Sequence, residues 1–184
     1  WVGIELASMS TLLIVGIYRT HEAVEAAWKY FILGSVGIAL ALFGTILVYM
    51  AAQPVLGEGV AAMIWTNLIQ NAAQFDPAML NVAFAFLLLG YGTKVGLAPL
   101  HAWLPRAHPE APSPVSALMS TAMVNLGVYG IARFDVQLLG PGPRWWGLTL
   151  LAVGGASALY GVLQASVATD LKRLLAYSTT ENMG

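Results

Sequence analysis

The sequence predicts an all-α, polytopic membrane protein, a bundle of about five membrane-crossing helices. Two observations predict it. Hydrophobic residues make up 58% of the chain and charged ones only 9%, whereas a soluble domain carries about 25% charged residues. The charges also leave long gaps. No Asp, Glu, Lys or Arg lies between Lys29 and Glu58, between Ala111 and Ala132, or between Trp145 and Thr169, and each gap suffices to cross about 30 Å of hydrocarbon.

The elements follow in chain order. Residues 1–18 are apolar except for Glu5 and end at Arg19, as the inner part of a first span does. Thr20 can cap a second helix that passes Glu22, Glu25 and Lys29 and keeps an apolar register to about Met50, with Gly34, Gly37 and Gly44 suited to close helix packing. Residues 51–76 carry Pro54, Gly57 and Glu58, then Ile64, Trp65, Leu68 and Ile69. That pattern predicts an amphipathic helix lying at the interface. A third span, about residues 78–100, places Lys94 between Gly92 and Gly96 with Pro99 soon after, so the helix is expected to be discontinuous near Lys94. Residues 101–114 carry Pro105, Pro109, Pro112 and Pro114 beside Arg106, His108 and Glu110 and must reach headgroup level. A fourth span covers about residues 115–134. Gly140, Pro141, Gly142 and Pro143 form a turn, Trp145 and Trp146 an aromatic belt, and a fifth span runs to about Thr169, closed by Asp170, Lys172 and Arg173.

Residues 1–184 are therefore read as a single membrane domain. The chain starts at Trp1 without a targeting pattern and stops at Gly184 just after a fresh helical register begins, so it is expected to be an internal piece of a longer polypeptide. Arg19, Lys29, Arg106, Lys172 and Arg173 fall on one side of the bilayer and Arg133 and Arg144 on the other; the richer side is expected to be cytoplasmic.

Composition also excludes functions. A net charge of -1 with scattered basic residues offers no surface for nucleic acid. The absence of cysteine excludes disulfides, thiolate zinc sites, iron–sulfur ligation and a cysteine nucleophile, so any redox chemistry must sit on partner subunits and no cofactor is expected on this chain.

Lys94 is the sharpest functional candidate. At about 1.5 Å per residue it sits roughly 20 Å from Leu80 and roughly 18 Å from Arg106, at mid-depth. A charge there costs about 2.5–3.5 kcal/mol on insertion scales and usually marks an ion path or proton relay. Movement of a partner charge would switch such an amine between holding and releasing a proton. The structural alternative is a static Lys paired with a Glu. Glu5, roughly 21 Å from Arg19 along the helix, is the natural partner, its alternative being an ordinary carboxylate at the end of a helix. Asn125, at mid-depth in the fourth span, suits a hydrogen bond to a neighbouring helix or to water as well as it suits transport. His101 and His108 flank the Pro-rich break. Their spacing is unlike a helical metal pair, so no metal is expected, and they serve either as structural histidines at the break or as proton relays. Glu22, Glu25 and Lys29 read as a solvated helix start, with proton loading as the alternative.

Residues 92–133, GTKVGLAPLHAWLPRAHPEAPSPVSALMSTAMVNLGVYGIAR, resemble the signature of the antiporter-like proton-translocating subunits of respiratory complex I, membrane-bound hydrogenases and multi-subunit sodium/proton antiporters. WVGIELASMS is similar to that family's helix with an intramembrane Glu, and DLKRLLAYSTTENMG to a helix start after a cytoplasmic loop. RTHEAVEAAWKYFILGSVGIALALFGT is most similar to the hydrogenase-4 component F branch, with component B second. The resemblance implies that Glu5 and Lys94 form a coupling pair and that the break between Lys94 and Pro99 belongs to a discontinuous helix lined by water. It also implies departures: a relay Lys of many members falls at Asn125, and a His before the family's Met-Gly falls at Asn182. Most of the second half of the usual inverted repeat is absent.

The function so implied is proton translocation by a subunit of a redox-driven complex of hydrogenase or NADH:quinone oxidoreductase type. Its partners would be other membrane and peripheral subunits, with a quinone a possible participant, in the lipid bilayer of a prokaryotic inner membrane. An Mrp-type cation/proton antiporter subunit and a membrane anchor that no longer pumps are the alternatives.

Overall fold

The computed structural model describes residues 2–140 and 142–184; Trp1 of the first span and Pro141 of the expected turn lie outside it. Four helices are long and apolar enough to cross a membrane: His21–Leu56, Pro77–Glu110, Ser113–Leu138 and Arg144–Val167. The expected first span is a shorter apolar helix, α1 (Val2–Val15).

α2 (His21–Leu56) begins where the Thr20 hydroxyl accepts the N–H of Ala23 at 3.1 Å. It runs past Met50, through Pro54, and stops only at Gly57. There φ is 77° and the amide returns to the Gln53 carbonyl at 2.9 Å, a conformation that glycine adopts without steric cost. The terminator is thus Gly57 rather than Pro54, whose missing donor is tolerated in the last turn. α3 (Trp65–Asn71) is the short helix expected at the interface, and its Leu68 is buried with Val48, Phe84 and Leu138.

α4 (Pro77–Val95) opens with the Asp76 carboxylate accepting the N–H of Ala78 at 3.1 Å. It ends five residues short of the expected Leu100 because Gly96 takes the left-handed conformation, φ 81°. The N–H of Leu97 then reaches the Gly92 carbonyl at 3.0 Å and that of Gly96 reaches Thr93 at 3.3 Å, the Schellman closure of a helix C-terminus. After Pro99, a 3₁₀ turn (Leu100–Trp103) leads into α5 (Leu104–Glu110). Irregular backbone at this depth needs partners. Ser157 accepts the N–H of Ala98 at 2.8 Å, and Trp103 Nε1 donates to the Thr93 carbonyl at 2.7 Å.

α6 (Ser113–Leu118) continues through a π-helical segment, Met119–Met123, into α7 (Val124–Ile131) and a second π segment, Ala132–Leu138. The fourth span therefore extends past Phe134 to Leu138. α8 (Arg144–Val167) follows, then α9 (Leu171–Met183), whose N–H at Arg173 is capped by Asp170 at 2.8 Å. Lys172 fastens α9 to the end of α5 by donating to the carbonyls of Ala111 at 2.8 Å and Pro109 at 3.3 Å.

The packing suits lipid. Leu148, Leu151, Leu159, Leu163 and Val167 of α8 all point outward, the reverse of a soluble bundle, while glycines occupy the seams. α4 lies between α2 and α7. A Cβ on Gly90 would fall 2.5 Å from the Ala41 amide nitrogen, and one on Gly127 would fall 2.7 Å from Val95. Small residues of this kind let helix backbones approach where no hydrophobic effect drives them together.

Candidate functional site

Lys94 occupies the last turn of α4, just before the Gly96 closure. The unsatisfied carbonyls of a helix C-terminus carry partial negative charge, so the break itself favours a cation there. The side chain is 4% exposed. Its ammonium donates to Ser8 Oγ on α1 at 2.5 Å and, at 3.5 Å, to the Tyr30 hydroxyl on α2. It also stands 5.3 Å from the centre of the Tyr30 ring, within cation–π range. Ser8 can accept because its own proton goes to the Ile4 carbonyl at 2.8 Å. The Tyr30 hydroxyl lies 3.0 Å from Thr11 Oγ1.

Glu5 lies one turn before Ser8 on α1 and shares its face. Ser35 of α2 donates to its Oε1 at 3.4 Å, and its Oε2 is buried without a partner. Among the described residues the ion pairs are those of Glu25 with Lys29 and with Arg106. Glu5 and Lys94 therefore do not touch: Lys94 bonds Ser8, which sits one turn beyond Glu5 on α1.

The other candidates sit apart. His101, in the 3₁₀ turn beyond the break, packs on Tyr160 with ring centres 4.5 Å apart, and its Nδ1 is buried without a partner. His108 on α5 shares a 2.8 Å hydrogen bond with Ser116 through Nδ1, while Nε2 is buried and unpartnered. Asn125 faces away from Lys94's cluster. It donates back to the Thr121 carbonyl of its own helix at 2.5 Å rather than to a neighbouring helix, and it lines an open groove with Asn182 of α9. The two asparagines that depart from the expected pattern thus share one groove. Glu25 holds Lys29 on its own helix and Arg106 at 3.5 Å, all three partly exposed at the end of the bundle, as a solvated helix start would be.

Sequence reasoning missed Ser8, Thr11 and Tyr30. A signal existed: Glu5, Ser8 and Thr11 form a polar stripe at threefold spacing on a mostly apolar helix. Removing the Ser8 hydroxyl tests its part. Hydrogen bonds to charged groups are worth about 1.5–3 kcal/mol, so if Lys94 relays protons, as the sequence leads one to expect, Ser8→Ala should slow that relay by about tenfold or more. Ser8→Thr, which keeps the hydroxyl, should stay close to the parent. Equal rates for the two variants in reconstituted vesicles would remove Ser8 from the relay.

The fold and this site define a class: a membrane helix bundle with a discontinuous helix and a lysine at the break. The whole chain, residues 1–184, matches the model of the family described as NADH:quinone oxidoreductase/Mrp antiporter, TM, and the chain belongs to that family. It is 55% identical over 185 residues to the hydrogenase-4 component F homolog of Methylacidiphilum infernorum (isolate V4), covering 100% of this chain and 39% of that one. Identity to hydrogenase-4 component B of Escherichia coli (strain K12) is 36% over 182 residues, 98% of this chain and 26% of the relative. Among solved structures, a chain of the membrane-bound sulfane sulfur reductase, an archaeal respiratory membrane complex, superposes with a TM-score of 0.81 at 27% identity, over 99% of this chain and 36% of that one. The chain thus spans between about a quarter and two fifths of the length of these relatives.

Proposed function

We propose that the chain is the proton-translocating core of a membrane subunit in a redox-driven complex of hydrogenase or NADH:quinone oxidoreductase type, seated in a prokaryotic cytoplasmic membrane. The observation that carries this reading is an amine buried at the end of a half-helix and joined through a hydroxyl to the turn that bears a carboxylate. The helix end, Ser8 and Tyr30 hold the protonated form of Lys94, and Glu5 lends negative charge from one turn away. When partner subunits shift that charge balance, Lys94 gives up one proton and becomes a neutral amine; re-entry of a proton resets it. In this reading His101, in the turn beyond the break, is a candidate link between Lys94 and the Pro-rich end. The chain contributes transport, and electrons stay on other subunits because it has no cysteine and no cluster ligands to offer.

The deciding experiment uses the full-length subunit in its complete complex, reconstituted in vesicles and supplied with an electron donor and acceptor. Proton movement is expected to track turnover, collapse with a protonophore, and persist when sodium is replaced by potassium. Sodium-dependent proton exchange without any donor would replace this reading with a Mrp-type antiporter. Turnover with no proton movement would leave only a membrane anchor.

A further inference from the structure

Asp135 lies in the second π segment of the fourth span and has no part in the site around Lys94. It is 3% exposed, and neither carboxyl oxygen has a hydrogen-bond partner. Among the described residues no Lys, Arg or His nitrogen comes within 4.0 Å of it. Its neighbour Arg133 is committed elsewhere: the guanidinium donates to Gln137 at 2.6 Å and stacks over the rings of Trp65 at 4.3 Å and Tyr129 at 5.8 Å. Residues two apart on this helical segment fall on roughly opposite faces, so the direction that carries Arg133 outward turns Asp135 into the bundle.

Tyr91 of α4 packs against the segment that bears Asp135. Its ring stacks on Phe134, the residue just before Asp135, with centres 5.8 Å apart. Tyr91 is also one turn before Lys94, about 4.5 Å along the same helix. Among the described residues, the two are the only polar side chains lining a small cavity walled otherwise by Ile4, Ile38, Ala41, Gly90 and Gly127. Lys94 and Tyr91 share that cavity and Tyr91 stacks beside the turn that bears Asp135, so the three mark a line leading away from the Pro-rich end. That line points toward the end of the bundle where Trp146 stacks on Phe84.

We infer that Asp135 is a second proton-binding site, which accepts the proton that Lys94 releases and passes it toward the side of the membrane opposite the Pro-rich segment, with Tyr91 as the connecting hydroxyl. The exchange balances as one proton: the Lys94 ammonium becomes a neutral amine as the Asp135 carboxylate becomes a carboxylic acid. A carboxylate buried without donor or cation is costly, and taking up a proton removes that cost. Tyr91 conducts without net change by donating its own hydroxyl proton onward as it receives another. The inference rests on the Lys94 reading above.

The test uses the full-length subunit in its intact complex in vesicles, with Asp135→Asn, Asp135→Glu and Lys94→Met run side by side. Two quantities are read: proton translocation per electron transferred, and the infrared C=O stretch of a protonated carboxyl that changes during turnover. Asp135→Asn is expected to slow translocation by about a hundredfold, the scale of a positioned proton-transfer group, and to erase a carboxyl band. Asp135→Glu is expected to recover most of the rate and to shift that band. Parent-like translocation in Asp135→Asn beside an impaired Lys94→Met would overturn the second site and leave the first intact. Parent-like translocation in Lys94→Met would defeat the Lys94 reading itself. Where Asp135→Asn fails to assemble, the Asp135→Glu spectrum decides: an unshifted band overturns the proposal.

Discussion

Lys94→Met is expected to stop proton translocation while leaving the complex assembled and its electron transfer measurable. Methionine has nearly the length of lysine and no charge, so the cavity stays filled, and Ser8 keeps its bond to the Ile4 carbonyl. The loss should be about a hundredfold or more, as for a group that carries the proton itself. Lys94→Arg sharpens the test. A guanidinium preserves the cation beside Ser8 and Tyr30 but does not deprotonate in proteins. If the amine must cycle between charged and neutral forms, Arg fails as completely as Met. If Lys94 were only a fixed cation holding α1 against α4, Arg would restore function in large part. The measurement is protons moved per electron in reconstituted vesicles, with the electron-transfer rate as the assembly control.

The reason to expect so much from one side chain lies in its surroundings, and only some of these were visible in the sequence. Gaps between charges placed the long helices, and Gly92, Lys94, Gly96 and Pro99 marked the broken one. The sequence could not say which residue makes the break. Proline looked like the agent, yet Gly96 ends the helix by its left-handed backbone, and the break is then held by Ala98 donating to Ser157 and Trp103 donating to the Thr93 carbonyl, bonds that no local pattern announces. α2 outran its expected end for the same reason, since Pro54 near a helix terminus costs little and Gly57 stops the chain.

At the site, the charges were legible and the hydroxyls were not. Glu5 and Lys94 stand out because carboxylates and amines are rare in apolar helices. Ser8 and Tyr30 are ordinary residues until α1, α2 and α4 are brought into register, and that register depends on glycine contacts invisible to hydropathy. Asp135 was hidden differently. It falls just past the point where the apolar run ends at Arg133, where a charge is unremarked. The π segment carries the helix on to Leu138 and leaves that carboxyl inside.

Gly90→Leu is expected to have the largest effect on folding and assembly. A Cβ at this position would lie 2.5 Å from the Ala41 amide nitrogen and 2.6 Å from the Gly37 carbonyl oxygen, both backbone atoms of α2 that cannot swing aside. The same seam places Gly37 against Thr93 and Gly44 against Leu87, so the two helices interlock along three consecutive turns and must part to admit a side chain. Overpacking of this kind costs about 1–3 kcal/mol, and more when backbones are forced apart; in lipid, no hydrophobic term draws the helices back. The damage would reach the site, because Lys94 is one turn beyond Gly90 and its Tyr30 contact lies on α2. Leu89→Ala is the control, since Leu89 is the next residue and faces outward. Thermal unfolding in detergent, followed by size-exclusion chromatography, should show a lowered midpoint and reduced recovery of the complex for Gly90→Leu and little change for Leu89→Ala. Matching midpoints for the two variants would mean that α2 and α4 are not seated through this glycine, and that the positioning of Lys94 against Tyr30 depends on something else.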